Sequence, residues 1–400
     1  MNRRRFLQGT VCGLSLLPAG ALLEEILQAA QETGPTLSTP RKRLRELGAV
    51  VGTLDPGRWN ALTDVPGVRV GHTTIVKGEG RGAVRTGVSV ILPHDGNIWE
   101  ENLYAGYFDL NGWGEMTGIQ AVTGTGLLST PVFLTGTYNV GIVYSAALEY
   151  LKKTNRSLGS EGRIAYPVVA ECFDDFLSDT RSRQVSDLDV FRAIDDASTG
   201  PVVEGAVGGG TGMTAFGFKG GIGTSSRVVD KHYKVGVLVM ANTGSRSQLR
   251  IDGFPVGREI RVPPQRQRGK SIILLAATDA PLLPYQLRKL AKRVGLGLGQ
   301  VGAISGTGSG DIVLAFSTAR RIPRKSSSAF HKLQAVSDFY LTPFYQAAVE
   351  ATQEAILNAL TMAQTTVGRD GNTAYGIPLD QVQKILQKYY GLGRGQGVLR

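Results

Sequence analysis

The sequence contains few of the residues that most often build disulfide bonds and metal sites. Of its 400 residues, two are cysteines and four are histidines. The histidines are widely spaced, at His72, His94, His232 and His331. They form no H-E-x-x-H motif, and no cysteine accompanies them. Because a zinc site needs three or four such ligands in a defined arrangement, we expect no metal.

Three familiar motifs of nucleotide and ester chemistry are also missing. Residues 269–271, GKS, match the end of a P-loop, but Pro264 stands where the first glycine is needed, and a strand-like run follows. Residues 297–302 fit G-x-G-x-x-G, but they follow a helical pattern where a dinucleotide site needs a strand. No G-x-S-x-G nucleophile elbow occurs. We therefore expect no cofactor, and nothing supports a serine–histidine triad.

The apolar stretch near the N-terminus is too short to span a membrane. It runs from Val11 to Leu23 and contains Pro18, whereas a spanning helix needs about 20 apolar residues. A membrane anchor and a basic N-terminal arm are the alternatives to an export signal for this region. The length of the stretch predicts no stable membrane insertion.

The residues around this stretch resemble a twin-arginine export signal. The sequence NRRRFLQ stands at residues 2–8, and a small-x-small cleavage pattern follows at residues 19–21. We interpret residues 1–30 as the signal and expect a periplasmic or secreted protein. Because Cys12 leaves with the signal, Cys172 is the single cysteine of the mature chain, which excludes an internal disulfide.

Acidic residues are fewer than basic ones, 33 against 44, which gives a formal net charge of +11. Such an excess is a reason to consider a nucleic-acid partner. The basic residues have no interleaved aromatic residues and no zinc-finger, RNP-type or homeodomain spacing. They concentrate at Arg288, Lys289, Lys292, Arg293 and in the loop Arg320–Lys325. We therefore interpret them as a solvated basic face and expect no nucleic-acid binding.

Glycine, by contrast, is abundant. The 53 glycines are about twice the usual share of roughly 7%. They cluster in residues 205–213 and 295–302. Glycine lets the backbone turn with positive φ or approach another group closely. We expect loops of this kind to line a site.

Short apolar segments alternate with helical patterns along the chain. The predicted strands are Val88–Leu92, Pro131–Leu134, Tyr166–Ala170, Val235–Ala241, Ile272–Ala277 and Ile312–Phe316. The predicted helices are 287–298, 343–363 with Thr342 as N-cap and Pro343 in the first turn, and Leu379–Tyr389. There are no repeats and no linker between separate cores. The pattern predicts one α/β domain after an extended N-terminal arm at residues 31–62.

Polar residues begin or end several of these strands. Glu171 and Asn242 each follow an apolar run, Ser271 precedes one, and Ser309 and Asp311 stand at the start of another. If the strands share a sheet, these groups would gather at one edge and form a site. The alternative is that they only terminate strands, because Asn and Asp favour turns.

Six blocks of sequence together resemble one family. They are TDVPGVRVGHTTI (63–75), NGWGEMTG (111–118), PVVAE (167–171), GAVGGGTGM (205–213), GFKGGIGTSSR (217–227) and SIILLAATDAPLLPYQLRKLAKRVGLGL (271–298). In this order, over residues 60–390, they are similar to the L-aminopeptidase/D-Ala-esterase-amidase family. That family includes β-peptidyl aminopeptidases and, more distantly, nylon-oligomer hydrolases.

The resemblance implies a four-layer α/β/β/α sandwich, related to the N-terminal-nucleophile hydrolases but differently connected. It also implies a precursor that cuts itself into two chains before a serine. Residues 63–270 would form the larger chain, which ends in a basic processing loop at 258–270, and residues 271–400 would form the smaller chain. Family members are commonly tetramers of processed pairs, so the resemblance implies a homo-oligomer.

The resemblance also assigns a nucleophile and its neighbours. Ser271 matches the family's nucleophile, and cleavage after Lys270 would free the α-amino group of Ser271. The ordinary pKa of an α-amine, about 7.7 to 8.0, lets it accept the hydroxyl proton near neutral pH. By the same matching, Ser309 and Asp311 would hydrogen-bond and orient the nucleophile.

Contacts with the substrate follow from the same matching. Asn242 would donate to the oxyanion of the tetrahedral intermediate, and Glu171 would bind the free amino terminus of the substrate. Two positions depart from the family's pattern. Phe173 replaces a tyrosine two residues beyond the glutamate, so a hydroxyl group is absent there. Lys270 replaces the small or amide residue usual before the nucleophile, so we expect slow or altered self-cleavage.

These inferences lead to three functional hypotheses. The first is a self-processed serine aminopeptidase, amidase or esterase that releases N-terminal residues from short peptides, amides or esters through an acyl-enzyme on Ser271. The second is hydrolysis of ω-amino oligomers, or acyl transfer, on the same scaffold. The third is an exported binding protein with an inactive site.

Overall fold

The computed structural model describes residues 40–160, 163–263, 271–326, 328–330 and 332–395. The predicted export signal, the processing loop from residue 264 to Lys270, and His331 lie outside the described residues. In the described ranges, no helix has the length and apolar character needed to cross a membrane. The same ranges contain no group of three or more His, Cys, Asp or Glu side chains placed to hold a metal ion.

The strands form two main sheets. The smaller sheet has the spatial order β1 (Arg69–Lys77), β2 (Val84–Leu92), β5 (Val132–Gly136) and β6 (Val168–Cys172). The larger sheet has the order β4 (Leu127–Leu128), β3 (Glu101–Gly112), β12 (Gly310–Pro323), β11 (Ser271–Thr278), β10 (Tyr233–Asn242) and β9 (Gly221–Val229). Two short ladders pair β7 (Thr214–Ala215) with β8 (Phe218–Lys219) and β13 (Thr366–Val367) with β14 (Thr373–Ala374). β11 pairs in parallel with β12 and antiparallel with β10.

Helices connect and cover these strands. The α-helices are α1 (Ile119–Thr125), α2 (Val140–Thr154), α3 (Asp187–Asp195), α4 (Val256–Glu259), α5 (Pro284–Gln300), α6 (Thr342–Met362) and α7 (Leu379–Gly395). Short 3-10 helices occur at Leu44–Leu47, Leu62–Asp64, Gly80–Gly82, Thr137–Asn139, Gly208–Gly210, Arg246–Gln248, Asp338–Tyr340 and Arg369–Gly371. Helices α5 and α7 contain the predicted helices 287–298 and Leu379–Tyr389, and α6 covers the predicted helix 343–363 up to Met362. The expectation that the glycine-rich residues 295–302 form a loop was wrong for residues 295–300, which lie in α5.

Alternation along β11 gives the larger sheet two apolar faces. Ile272 and Leu274 pack with α5 and α6, whereas Ile273 and Leu275 pack against the smaller sheet. The outer face of the smaller sheet packs against α2 and α3. The layers therefore follow the order helices, small sheet, large sheet, helices. This confirms the predicted α/β/β/α sandwich.

Helix α5 forms as its sequence predicts. Pro284 lies in the first turn, where its missing N–H breaks no intrahelical hydrogen bond. Leu290 and Val294 lie on the buried face, and Arg288 and Lys289 are exposed on the other. The basic residues of this helix are thus exposed as expected. The other predicted basic segment, the loop Arg320–Lys325, is in part a strand, because β12 extends to Pro323.

The first turn of α6 differs from the prediction. The helix begins at Thr342 itself, the N-cap is Leu341, and no side chain accepts a capping hydrogen bond from the first-turn N–H groups. The prediction of Thr342 as N-cap was therefore wrong, although Pro343 lies in the first turn as expected. Leu341 is buried in the core beneath the larger sheet, so its packing sets where the helix starts.

Three long strands, β1, β3 and β9, and four helices, α1 to α4, were not predicted. In β9, GIGTSSRVV, polar residues interrupt the apolar pattern, and yet the strand is buried. Partners from distant segments satisfy these residues. The Ser226 N–H donates to Asn60 Oδ1 at 3.0 Å, and Arg227 Nη2 donates to Glu354 Oε2 at 2.8 Å. A local pattern cannot reveal such partners.

The described part of the predicted arm packs onto the core. Leu44 and Val51 are buried in the same apolar cluster as α6. The Arg41 guanidinium donates to the backbone carbonyls of Leu360, Thr361 and Ile377. These contacts attach residues 41–62 to the helical layer beside the larger sheet.

Candidate active site

Ser271 is the first residue of β11, near the middle of the larger sheet. It lies opposite Asn242 at the end of β10 and opposite Gly310 at the start of β12. The Gly310 N–H donates to Ser271 Oγ at 3.2 Å, and Ser271 is 8% exposed. The ends of three neighbouring strands thus bring predicted site positions together at one edge of the sheet.

Ser309 and Asp311 stand on either side of Gly310. The Ser309 hydroxyl donates to Asp311 Oδ1 at 2.6 Å, and both side chains are buried. Burial raises the pKa of Asp311, and hydrogen bonds from Ser309 and Ser305 oppose that rise. The contact with the Ser271 hydroxyl is made by the Gly310 N–H between the pair, while the Ser309 hydroxyl is directed to Asp311.

The carboxamide of Asn242 is held at both ends. Its Oδ1 accepts from the Thr214 N–H at 2.8 Å, and its Nδ2 donates to the Phe173 carbonyl at 2.9 Å. A carboxamide nitrogen carries two N–H groups, so one remains for a ligand. Because Asn242 faces Ser271 across the ladder, this N–H is suited to stabilise an oxyanion formed beside the Ser271 hydroxyl.

Glu171 comes from β6 in the smaller sheet and is 5% exposed. Its Oε1 accepts from the Glu115 N–H at 3.0 Å, and its Oε2 accepts from the Thr137 hydroxyl. Burial raises the pKa of Glu171, and these two hydrogen bonds oppose the rise. A buried carboxylate held in this way can pair with a cationic group.

The segment 111–115 joins the two sheets at the site. The Trp113 N–H donates to the Ser309 carbonyl at 3.3 Å. A Cβ atom on Gly114 would lie 3.1 Å from Gly310 Cα and 3.2 Å from Glu171 Oε1, so glycine permits the close approach. Close approaches of the backbone at Gly310 and Gly114 therefore lead from Ser271 to Glu171.

This arrangement corrects one expectation. The hypothesis that the polar strand ends share one sheet holds for Asn242, Ser271 and Asp311 but is wrong for Glu171. Glu171 reaches the site because the two sheets pack face to face and the segment 111–115 bridges them. The residues converge, but through sheet packing as well as strand pairing.

Phe173 connects the two halves of the site. Its carbonyl accepts from Asn242, and its ring meets the Tyr138 ring edge-on with centroids 5.7 Å apart. Tyr138 follows Thr137, the residue that binds Glu171. Trp113, whose N–H donates to the Ser309 carbonyl, is 74% exposed. The Tyr138 and Phe173 rings thus pack together between the residues that hold Glu171 and Asn242.

Sequence reasoning missed four residues that hold the site. Thr214 holds Asn242, while Glu115 and Thr137 hold Glu171. Gly114 provides the close approach between the sheets. Gly114 and Glu115 lie in the block NGWGEMTG, and Thr214 directly follows GAVGGGTGM, so the glycine-rich blocks were a signal for three of them. Nothing in the local sequence marks Thr137.

Comparison with known proteins now places the chain. Residues 60–374 match Peptidase family S58. The chain is 41% identical over 393 residues to a β-peptidyl aminopeptidase of Sphingosinicella xenopeptidilytica, which covers 92% of this chain and 94% of that protein. A β-peptidyl aminopeptidase of Sphingosinicella microcystinivorans is 40% identical over 385 residues, which covers 90% of this chain and 94% of that protein.

Solved structures give the same result. A β-aminopeptidase of Burkholderia sp. is similar with a TM-score of 0.82 and 40% identity, covering 87% of this chain and 99% of that one. The L-aminopeptidase D-Ala-esterase/amidase of Ochrobactrum anthropi, described as a variant of the Ntn-hydrolase fold, has a TM-score of 0.82 and 39% identity. That comparison covers 88% of this chain and 99% of the Ochrobactrum chain.

The sandwich and a serine at the head of a central strand define a hydrolase related to the N-terminal-nucleophile enzymes. The chain belongs to Peptidase family S58 and is a hydrolase of peptide bonds. The predicted family resemblance is thereby confirmed.

Proposed function

We propose that this peptidase is a self-processed serine aminopeptidase, with amidase and esterase activity, that releases N-terminal residues from short substrates. The observation that carries the proposal is the series of close approaches that leads from the Ser271 hydroxyl to the buried Glu171 carboxylate through Gly310 and Gly114. A nucleophile beside a buried anion suits a scissile bond that lies near a free amino terminus. The names of the relatives, which include aminopeptidases for β-peptides, support the same reading.

In the proposed reaction the α-amine of Ser271 accepts the hydroxyl proton while Oγ bonds to the substrate carbonyl carbon. Negative charge develops on the carbonyl oxygen, where the free N–H of Asn242 donates to it. The carbon–nitrogen bond then breaks, and the amine leaves with the proton, giving an acyl-enzyme ester on Ser271. Water attacks that ester in the same way and releases the N-terminal residue as an acid.

Maturation uses the same hydroxyl in this proposal. Ser271 Oγ attacks the Lys270 carbonyl, the chain shifts from nitrogen to oxygen, and water hydrolyses the ester. The products are a larger chain ending at Lys270 and a smaller chain with a free Ser271 α-amine. The position of Ser271 at the head of a strand, directly after a strongly basic segment, supports this assignment.

Replacing the nucleophile tests the function directly. We expect Ser271→Ala to give one uncut, folded and inactive chain, because it removes the oxygen that attacks both the Lys270 carbonyl and the substrate carbonyl, whereas Ser271→Cys retains partial cutting. Intact mass and hydrolysis of D-alanyl, L-alanyl and β-alanyl amides are the measurements. The surface variant Ser326→Ala is the control and is expected to behave like the unmodified protein.

Two outcomes contradict the proposal. Cleavage of the Ser271→Ala protein at the same bond would show that an outside protease opens the basic loop. Activity of that variant would remove Ser271 from the mechanism. A Ser271-dependent enzyme that cleaves linear nylon oligomers but none of the alanyl amides would move the proposal to the ω-amino-oligomer alternative.

We also propose export by the twin-arginine route. The sequence NRRRFLQ at residues 2–8 supports it. Fusion of residues 1–35 to a reporter is expected to send the reporter to the periplasm, and lysine at positions 3 and 4 is expected to stop it. Export of the double variant would argue for the general secretory route.

A homo-oligomer of processed pairs, a tetramer by family resemblance, is our proposal for the assembly. Large apolar side chains on one segment support it, because Phe330, Phe339 and Tyr340 are mostly exposed in the single chain. Sedimentation of the processed protein measures the assembly. We expect Phe339→Ser to weaken it, and a monomeric unmodified protein at micromolar concentration would contradict it.

A further inference from the structure

Lys219, in β8, has a fully buried side chain. Its ammonium group donates to three backbone carbonyls, those of Gly210 at 3.1 Å, Met213 at 2.7 Å and Gly220 at 2.8 Å. An ammonium group has three N–H donors, so all three are used. The charge is therefore stabilised entirely by peptide dipoles, and burial lowers the pKa of Lys219 to about 7.

A buried lysine of this kind is expensive for the fold. Lysine is almost never fully buried unless it is paired, because removing its charge from water is unfavourable. An apolar residue of similar length would fill the same space without that cost. The three carbonyls therefore indicate what the charge does. It draws together the two ends of residues 210–220, the segment that contains the β7–β8 hairpin and is called the 210–220 turn below.

Backbone hydrogen bonds also hold this segment. The Phe216 N–H donates to the Thr243 carbonyl and the Lys219 N–H donates to the Tyr375 carbonyl, each at 2.7 Å. Two others end on carbonyls that Lys219 also binds. The Met213 N–H donates to the Gly210 carbonyl at 3.2 Å, and the Gly220 N–H donates to the Met213 carbonyl at 3.0 Å. Gly210 itself packs so closely that a Cβ atom would lie 2.5 Å from the Ile222 nitrogen. Without the ammonium group, the Gly210 and Met213 carbonyls would each keep one backbone donor, and all three carbonyls would lose their hydrogen bond to the charge.

The turn leads directly to the candidate oxyanion site. Lys219 is the ladder partner of Thr214 in the pairing of β7 with β8. The Thr214 N–H donates to Asn242 Oδ1, and Asn242 lies opposite Ser271. A shift of the turn would move the Thr214 N–H, and the Asn242 carboxamide would then be held only at its Phe173 end.

We propose that Lys219 is a positioning residue for the oxyanion-binding amide: its ammonium group holds the 210–220 turn, which fixes Thr214 and through it the Asn242 carboxamide. This inference rests on the proposed function, in which Asn242 stabilises the oxyanion. Because the oxyanion exists only in the transition state and intermediate, a misplaced amide lowers kcat and leaves substrate affinity almost unchanged.

A double-mutant cycle tests the link. Lys219→Met keeps the length of the side chain and removes its charge, and we expect kcat to fall about 10-fold or more with KM within about twofold. Asn242→Ala alone is expected to lower kcat about 100- to 1000-fold. If Lys219 acts through Asn242, adding Lys219→Met to Asn242→Ala changes kcat by less than twofold. Each kcat is calculated per processed enzyme, and intact mass measures how much of the protein has the chain that begins at Ser271.

Controls separate positioning from general stability. Lys234→Met, at a partly exposed lysine of β10 paired with Asp279, is expected to leave kcat unchanged. Circular dichroism confirms that each variant is folded at the assay temperature. Where a variant remains uncut, the rate of self-cleavage replaces kcat as the readout, because the same oxyanion site serves both reactions in the proposed function.

The outcomes are distinguishable. The positioning role is overturned if Lys219→Met lowers kcat by the same factor in the unmodified protein and in the Asn242→Ala protein. It is also overturned if Lys219→Met raises KM and leaves kcat normal. If Asn242→Ala leaves kcat within twofold, the oxyanion assignment under the proposed function fails instead. If Lys219→Met does not fold, the cycle is run with Lys219→Arg, which keeps a cation but displaces the carbonyls. The proposal is then supported if Lys219→Arg lowers kcat when Asn242 is present and has no effect in the Asn242→Ala protein. Any other result overturns it.

Discussion

At the scale of single residues, Glu171 is a carboxylate removed from water but supplied with two hydrogen-bond donors. Burial alone would favour its neutral form, since it raises the pKa. A substrate ammonium group would reverse that effect, because an opposite charge nearby favours the ionised carboxylate. The geometry therefore predicts selection for substrates with a free amino terminus.

Glu171→Gln tests this selection. The amide keeps the shape and loses the charge, so we expect kcat/KM for substrates with a free amino terminus to fall at least about 10-fold. N-acetylated substrates should already be poor with the unmodified enzyme. Steady-state kinetics on matched free and blocked amides is the measurement.

Glu115→Gln is the matched control for this prediction. Glu115 is exposed, and its backbone N–H, which the substitution keeps, is the group that holds Glu171. We expect this variant to retain most of the activity. Equal turnover of free and blocked substrates by the unmodified enzyme would contradict the amine-binding role of Glu171.

Phe173 offers a second test at this scale. Its ring meets Tyr138, and its carbonyl holds Asn242, so the backbone role is independent of the ring substituent. Phe173→Tyr adds one hydroxyl group to a ring of nearly the same shape. We expect higher kcat or a broader range of amides with little change in thermal midpoint, measured by kinetics and calorimetry. A loss of activity would mean that the added hydroxyl is not tolerated at the site.

At the scale of elements, β9 shows how a polar strand becomes a core strand. Arg227 is fully buried and forms ion pairs with Glu350 at 3.1 Å and Glu354 at 2.8 Å, both on α6. Arg45, from the arm, also pairs with Glu354 at 2.8 Å. The three elements are therefore joined by one buried charge network. Removing one charge from such a network leaves its partners unpaired.

Arg227→Met is expected to lower the free energy of unfolding by about 3 kcal/mol, the lower end for a broken buried pair. The lower end applies because Glu354 keeps Arg45 and Glu350 keeps the N–H groups of Thr53 and Leu54. Urea unfolding followed by circular dichroism measures the change. Lys289→Met, which breaks the exposed pair with Asp338, is the control and should leave the urea midpoint unchanged. An equal shift in both variants would refute the role of the buried network.

At the scale of the whole molecule, the proposed cut lies between two strands that pair with each other. β10 precedes the cut and β11 follows it, and the two form an antiparallel ladder. β12, from the smaller chain, lies between β11 and β3, which belongs to the larger chain. The apolar core is also built from both chains. Breaking one peptide bond removes none of these contacts.

We therefore expect the processed chains to behave as one particle. Denaturing gels should show two bands and intact mass two chains, while size exclusion in native buffer should give one peak containing both in equal amounts. Separation should need urea concentrations that unfold the protein. Release of the smaller chain in native buffer would contradict the shared core.

Local patterns in the sequence were sufficient to predict several strands and helices of this protein. The apolar run after Ser271 and the 3.6-residue spacing of Leu287, Leu290 and Val294 predict β11 and α5, because each pattern reflects neighbours along the chain. The six blocks of sequence are sufficient for the family, and through it for the sandwich and most candidate site residues. The first residue of α6 escaped prediction because packing of Leu341, and not a capping side chain, sets it.

Only the tertiary structure decided which polar groups are buried and which of them meet. Glu171 approaches the Ser271 edge from the other sheet, and the charges of Arg227 and Lys219 lie in the interior. A polar group can be buried only where partners satisfy it, and these partners come from segments far away in sequence or from the backbone of a folded turn. A local pattern records the polarity of a residue but not its partners, so such residues resemble surface or loop residues until the chain is folded.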